Sequence, residues 1–196
     1  MADKYAIIII EDHPLVREGL ASYFAGTGRW DVKGTAATLA EAKELARRTE
    51  ADLVLIDMQL EDGWGLDIIP CLKGKTLAAV YSAFDDYSHV STAMGMGAKA
   101  YICKRQNSQE LEKALLKVLK GETYIDDTVQ AKFQAVTGRI NLLTKREREV
   151  FNLAKSKLPN KQIAAQLGIS VRRVENILYT IYDKIGVRSR YELEML

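Results

Sequence analysis

The chain has 196 residues, 47% of them hydrophobic and 28% charged, with 13 Gly, 3 Pro and 2 Cys. That composition excludes a disordered or collagen-like chain, and two cysteines exclude a disulfide-stapled fold, so reduced thiols in a cytoplasmic protein are expected. The net charge of +2 hides two unlike parts: residues 1–122 carry 15 Lys and Arg against 18 Asp and Glu, whereas residues 123–196 carry 13 against 8. Such asymmetry suggests two units with different partners, nucleic acid being the natural one for the basic unit. The longest strongly apolar run, Tyr5 to Ile10, stops at Glu11 and Asp12. It falls far short of the ~20 residues of a spanning helix, so a soluble protein with no membrane partner is expected.

In chain order, Ala6–Ile10 reads as a buried strand and Pro14 opens a helix through about Ala25, Pro being favoured at the first helical position. Strands follow at Trp30–Gly34, Leu53–Ile56, Leu77–Tyr81 and Ala100–Cys103, alternating with helices at Leu39–Thr49, Leu66–Leu72, Ser88–Met96 and Ser108–Leu119. Five strands apolar on both faces, each followed by a helix, predict a five-stranded, parallel, doubly wound α/β domain over residues 1–122. Ligands of such sheets bind beyond the carboxyl ends of the strands. The residues there are Glu11, Asp12, Asp57, Ser82 and Lys104. Three carboxylates gathered at one edge repel one another and call for a cation, and hard oxygen donors open to water suit Mg²⁺.

Residues 123–142 read as a linker, with a short helix around Val129–Val136. Residues 143–196 show no strand pattern and predict an all-α domain of four helices. Thr144 and Glu147 form a capping box for the first, Asn160 and Ser170 cap the second and third, and Ser189 with Glu192 starts a fourth that runs to the chain end. Lys161–Leu167, the Gly168–Ile169–Ser170 turn and Val171–Ile185 make a helix-turn-helix pattern. In the longer helix Val174, Ile177, Leu178, Ile181 and Ile185 repeat at core spacing. Arg172, Arg173, Glu175, Asn176, Tyr179 and Thr180 are left outward, a polar face suited to the major groove of double-stranded DNA. Between Arg139 and Arg190, 12 Lys and Arg stand against 4 Asp and Glu, which concentrates the basic excess in this unit.

Asp12–His13–Pro14–Leu15–Val16–Arg17–Glu18–Gly19–Leu20, Asp57–Met58–Gln59–Leu60, Ser82–Ala83–Phe84–Asp85–Asp86 and Gly97–Ala98–Lys99–Ala100–Tyr101–Ile102–Cys103–Lys104 resemble the motifs of a two-component receiver domain. Leu143–Thr144–Lys145–Arg146–Glu147–Arg148–Glu149–Val150, Asn160–Lys161–Gln162–Ile163–Ala164 and Lys184–Ile185–Gly186–Val187–Arg188 resemble the LuxR-type DNA-binding domain. The order across the linker is that of NarL/FixJ response regulators. The resemblance implies that Asp57 takes a phosphoryl group from a sensor histidine kinase. It implies Mg²⁺ held by Glu11, Asp12, Asp57 and the main-chain carbonyl of Gln59. Lys104 and Ser82 would contact the phosphate, Ala83 would leave Asp57 accessible, and Tyr101 would be an aromatic switch. It adds Thr144, Lys161 and Lys184 to the DNA contacts and implies a homodimer when phosphorylated.

The sequence departs from the family at Ser82, more often Thr, at Glu61, often Pro, and in the recognition helix, where Glu175 in place of Lys removes one possible phosphate or guanine contact and Ile177 puts an apolar side chain where a polar one is usual. DNA sequence preference therefore does not carry over. Two rival readings remain: an aspartyl-nucleophile phosphohydrolase, which wants a second Asp where Gln59 stands, and a phosphorylation-independent transcription factor with a receiver kept for dimerisation. Gly74–Lys75–Thr76 lacks the strand and upstream Gly of a P-loop. Cys71 and Cys103 read as buried thiols, and His13 and His89 as surface residues.

Overall fold

The computed structural model describes residues 4–194 and 196, and the chain divides between Val129 and Gln130 into two compact units. In the first, β1 (Tyr5–Ile10), β2 (Trp30–Ala36), β3 (Leu53–Ile56), β6 (Leu77–Ser82), β7 (Ala100–Cys103) and β8 (Tyr124–Ile125) form one sheet in the order β2-β1-β3-β6-β7-β8. Every adjacent pair is parallel. The connections are α1 (Pro14–Gly26), α2 (Leu39–Arg48), α3 (Tyr87–Gly95) and α4 (Ser108–Leu119). β4 (Gln59–Leu60) and β5 (Gly63–Trp64) make a separate antiparallel hairpin after β3.

The continuous apolar strands have the expected cause. Ile7, Ile9, Leu53, Leu55, Ala100 and Ile102 pack on one face with Phe24, Trp30, Leu111 and Leu115. Ile8, Ile10, Val54 and Ile56 pack on the other with Ala42, Leu45 and Ile68. Helix starts also follow local chemistry. Pro14 opens α1, and the side chains of Thr38, Asp86 and Asn107 accept backbone N–H groups at the starts of α2, α3 and α4.

Four features differ from expectation. The segment read as a helix at Leu66–Leu72 is a 3₁₀ helix, Gly65–Cys71, with Pro70 inside it. Proline has no N–H for the α-helical ladder, so the tighter form prevails. A sixth strand, β8, extends the five-stranded core past residue 122, and α5 (Asp127–Asn141) is longer than the short helix expected in the linker. Cys71 is exposed rather than buried, while Cys103 is buried.

The second unit holds α6 (Lys145–Lys155), α7 (Asn160–Leu167), α8 (Val171–Ile185) and α9 (Arg190–Glu194). Val150, Phe151, Ile163, Val174, Leu178, Ile181, Ile185 and Leu193 are buried in it. The Thr144–Glu147 capping box is present. Gly168 and Gly186 end α7 and α8 at φ of 63° and 81°, left-handed positions that glycine takes without a Cβ clash. Asn160 is not the cap of α7. Pro159 holds that position, and the Asn160 side chain instead accepts from Arg190 at 3.3 Å. Ser189 accepts from the Glu192 amide, but the Glu192 carboxylate reaches Arg188 N at 2.9 Å rather than closing a box on Ser189. The predicted run of the last helix to the chain end includes Met195, which lies outside the described residues. No helix among the described residues is long and apolar enough to cross a membrane.

Candidate functional site

The sheet changes winding direction between β1 and β3, where crevices form in doubly wound sheets. Glu11 and Asp12 follow β1, Asp57 follows β3, and the Asp57 amide bonds to Ile10 O at 2.8 Å. Glu11 and Asp57 are buried, with 1% and 7% exposure, and Asp12 is half-buried. Carboxylate oxygens of all three, with a ring nitrogen of His13, lie within 4.8 Å of one another. Such a cluster of oxygen donors with surplus negative charge fits a hard divalent cation.

One cation of the chain already enters the cluster. Lys104 Nζ lies 2.9 Å from Asp57 Oδ2 and 2.8 Å from Glu11 Oε2. Burial opposes the lysine's charge, but the hydrogen bonds and charges of Asp57 and Glu11 prevail and hold its pKa above the ordinary value. Lys104 reaches this position because its amide bonds to Ser82 O at 2.8 Å, which joins the ends of β7 and β6. Gln59, exposed in β4, follows Asp57 by two residues.

Ser82 and Tyr101 are both fully buried. Ser82 Oγ accepts from the Phe84 amide at 3.2 Å, and the Tyr101 hydroxyl donates to Phe84 O at 3.0 Å. Burial pushes the Tyr101 phenol far above its usual range, so it stays a protonated donor. Ala83, between Ser82 and Phe84 in sequence, is exposed.

In the second unit, α8 buries the five residues read as its core face, and Arg172, Arg173, Glu175, Asn176, Tyr179 and Thr180 are exposed. Tyr179 has 77% of its surface free. Lys161 on α7 is exposed as well. Thr144 and Lys184 are already engaged. The Thr144 hydroxyl accepts from Glu147 N, and Lys184 Nζ lies 2.8 Å from each Glu147 oxygen. These contacts hold the Glu147 carboxyl below its usual range, the Lys184 bond first and the Thr144 amide second.

The basic excess is partly structural. Arg139 donates to Ile185 O at 3.1 Å, Arg146 to Leu167 O at 2.8 Å, and Arg190 to Ala154 O and Leu158 O at 2.9 and 2.7 Å. These guanidinium groups bond carbonyls at the ends of α6, α7 and α8 and, for Leu158, in the loop after α6.

Residues 7–116 match the family of response regulator receiver domains, and residues 141–196 match bacterial regulatory proteins of the luxR family. The chain belongs to the NarL-type response regulators. The nitrate/nitrite response regulator protein NarL of Escherichia coli is 30% identical over 197 residues, covering 95% of this chain and 91% of that protein. The oxygen regulatory protein NreC of Staphylococcus aureus is 30% identical over 204 residues, covering 95% and 94%. A structure of two RcsB dimers bound to two parallel DNAs superposes with a TM-score of 0.71 at 19% identity, over 98% of this chain and 97% of that one. The fold is thus shared along both units. As a response regulator the chain joins a receiver to a LuxR-type DNA-binding domain, and its relatives are transcription regulators rather than enzymes.

Sequence reading missed three residues that shape the regulator's receiver site. Arg17 Nη1 donates to the carbonyls of Glu11 and Asp12 at 2.7 and 3.0 Å, fixing the acidic loop from α1. Gly65 lies against Asp57 so closely that no side chain fits. His89 is not a free surface residue: it stacks on Phe84 and Trp64 and pairs with Asp86. Arg17 bonds residues only five and six positions away and sits inside the Asp12–Leu20 motif, whereas the crossing of Gly65 over Asp57 and the stacking of His89 on Trp64 leave no pattern in residue type.

Proposed function

We propose that the protein is a phosphorylation-controlled transcriptional regulator of a two-component system, working in the cytoplasm. The receiver is assigned to residues 1–122, the linker to 123–142 and the DNA-binding domain to 143–196. The observation that carries this reading is the Asp57 carboxylate, held 2.9 Å from Lys104 Nζ and beside the carboxylates of Glu11 and Asp12.

An Asp57 oxygen attacks the phosphorus of a phosphohistidine on the sensor kinase. The new P–O bond forms as the P–N bond breaks, and the electron pair leaves with the imidazole. Lys104 then shifts part of its pairing from the carboxylates to a phosphate oxygen, and the Ser82 hydroxyl donates to another. Ala83 leaves the approach open. Glu11, Asp12, Asp57 and the Gln59 carbonyl would hold Mg²⁺, which supplies positive charge against the developing negative charge of the transferring group. The added ~−1.5 to −2 charges bias Ser82 and Tyr101 through the Phe84 backbone.

The outward face of α8, with Lys161 from α7, supplies the DNA contacts, and phosphorylation favours a homodimer on double-stranded DNA. Thr144 and Lys184 act there through the Glu147 cap as much as by direct contact. Arg172 and Arg173 suit phosphates or guanine, and Asn176 suits adenine.

The test is phosphoryl uptake from acetyl phosphate by the full chain. Label should appear with Mg²⁺, vanish with EDTA and be absent in Asp57→Ala. Label retained by Asp57→Ala would overturn the site. DNA binding by an unmodifiable wild-type chain would favour the phosphorylation-independent reading.

A further inference from the structure

Three rings lie in a stack beside the acidic pocket. The His89 ring is 4.2 Å from that of Phe84 at an interplanar angle of 6°, and 5.8 Å from that of Trp64 at 19°. The rings come from three separate segments: Trp64 from β5, Phe84 from the loop after β6, and His89 from α3. His89 is itself tethered, because its Nδ1 pairs with the Asp86 carboxylate that also caps α3 by accepting the amides of Ser88 and His89.

Phe84 is the residue through which both switch side chains are held. Its amide bonds to Ser82 Oγ and its carbonyl to the Tyr101 hydroxyl. At the other end of the stack, Trp64 pairs in register with Gln59, two residues past Asp57. A movement of the Phe84 backbone therefore strains the ring contact, and a loss of the ring contact frees that backbone.

We infer that His89 is a positioning residue: stacked on Trp64 and Phe84, its ring holds the Phe84 backbone where Tyr101 and Ser82 bond it. The role needs a flat ring at residue 89, since offset stacking is an aromatic property. It does not need the imidazole to titrate. The inference rests on the reading of Ser82 and Tyr101 as the receiver's switch, but its geometry is testable without phosphate.

The full chain labelled with 3-fluorotyrosine reports Tyr101 by fluorine NMR, the resonance among the 9 tyrosines being assigned with Tyr101→Phe. His89→Ala should lower the ratio of buried to exposed Tyr101 by about two- to tenfold, the range of one stacked pair, with the other tyrosine resonances in place. His89→Phe, which keeps a ring and loses the Asp86 bond, should hold the ratio near wild type. His89→Gln, which keeps a polar group and loses the ring, should behave as His89→Ala. An unchanged Tyr101 ratio in Ala and Gln variants, or a Phe variant as perturbed as Ala, overturns the inference. If His89→Ala does not fold, the Gln and Phe pair decides the matter alone. Because Tyr101 is read with no phosphodonor, this clamp can fail while Asp57 is still labelled, and Asp57 can fail to label while the clamp stands.

Discussion

Gly65 passes so close to Asp57 that a Cβ on residue 65 would lie 1.9 Å from the Asp57 carbonyl oxygen and 2.9 Å from Ile56 Cγ2. The Gly65 amide bonds to Met58 O at 2.9 Å, so the chain is tied down at this crossing. The neighbour on the Asp57 side is backbone and has no rotamer to give. Gly65→Ala should therefore displace the end of β3 and cost roughly 1–3 kcal/mol, the range for overpacking a tight interior. Urea unfolding measures the loss. Phosphoryl uptake in the folded fraction should fall with it, and a variant of wild-type stability and uptake would contradict the contact.

Lys104 provides a second prediction. Its Nζ lies within ion-pair distance of both Asp57 and Glu11. Lys104→Met leaves those buried carboxylates facing each other without it. Phosphoryl uptake should drop, because a phosphate oxygen loses its partner. Stability without divalent ions should also fall, and Mg²⁺ should restore more of it than it adds to wild type, since binding to the native state raises apparent stability. Thermal unfolding with and without Mg²⁺ makes the comparison. An equal Mg²⁺ increment in both proteins would count against a cation site shared with Lys104.

The Glu147–Lys184 pair sets the sign of an acid response in the second unit. The Glu147 carboxyl is held below its ordinary value of 4.5, so the folded state prefers it ionised. That preference contributes stability above about pH 4.5 and is lost as pH falls through the lower folded value. Lys184→Met should weaken the acid dependence, with a loss at neutral pH of roughly 1 kcal/mol or less for a partly exposed pair. Helical circular dichroism of the full chain follows the transition. Fluorescence of Trp30 and Trp64, the two tryptophans, reports the first unit alone.

What was legible in the sequence follows the range of the interaction. β1 and β3 were readable because both faces of Ile7–Ile10 and Leu53–Ile56 are buried, which writes an unbroken apolar run. The strand-end rule then placed Glu11, Asp12, Asp57 and Lys104 at one edge, and the structure brings them together. The core and outward faces of α8 were readable from helical spacing. β8 was not, because two residues carry no period. Asn160 looked like a cap by residue type, yet its side chain bonds Arg190, 30 positions away. The basic excess was countable, but its division was not. Arg139 and Arg190 look like any exposed arginine until the carbonyls they serve are seen.

That division separates two kinds of arginine by experiment. Arg172 and Arg173 stand exposed at the start of α8, whereas Arg190 donates to Ala154 O and Leu158 O and pairs with Glu194. If the outward face of α8 meets DNA phosphates, each contact displaces counterions, and log affinity falls with log salt at a slope near −0.9 per contact. Arg172→Ala and Arg173→Ala should each weaken binding and flatten that slope by about one wherever the arginine meets a phosphate, with unfolding unchanged. Arg190→Ala should instead lower the stability of the second unit, by roughly 1–3 kcal/mol for two part-buried carbonyls that lose a charged donor. Its salt slope, measured where the protein remains folded, should match wild type. Fluorescence anisotropy of labelled duplex across a salt series, paired with urea unfolding, reads both quantities. A flattened slope for Arg190→Ala with full stability would move that residue to the DNA surface and undo its assignment as a helix-end donor.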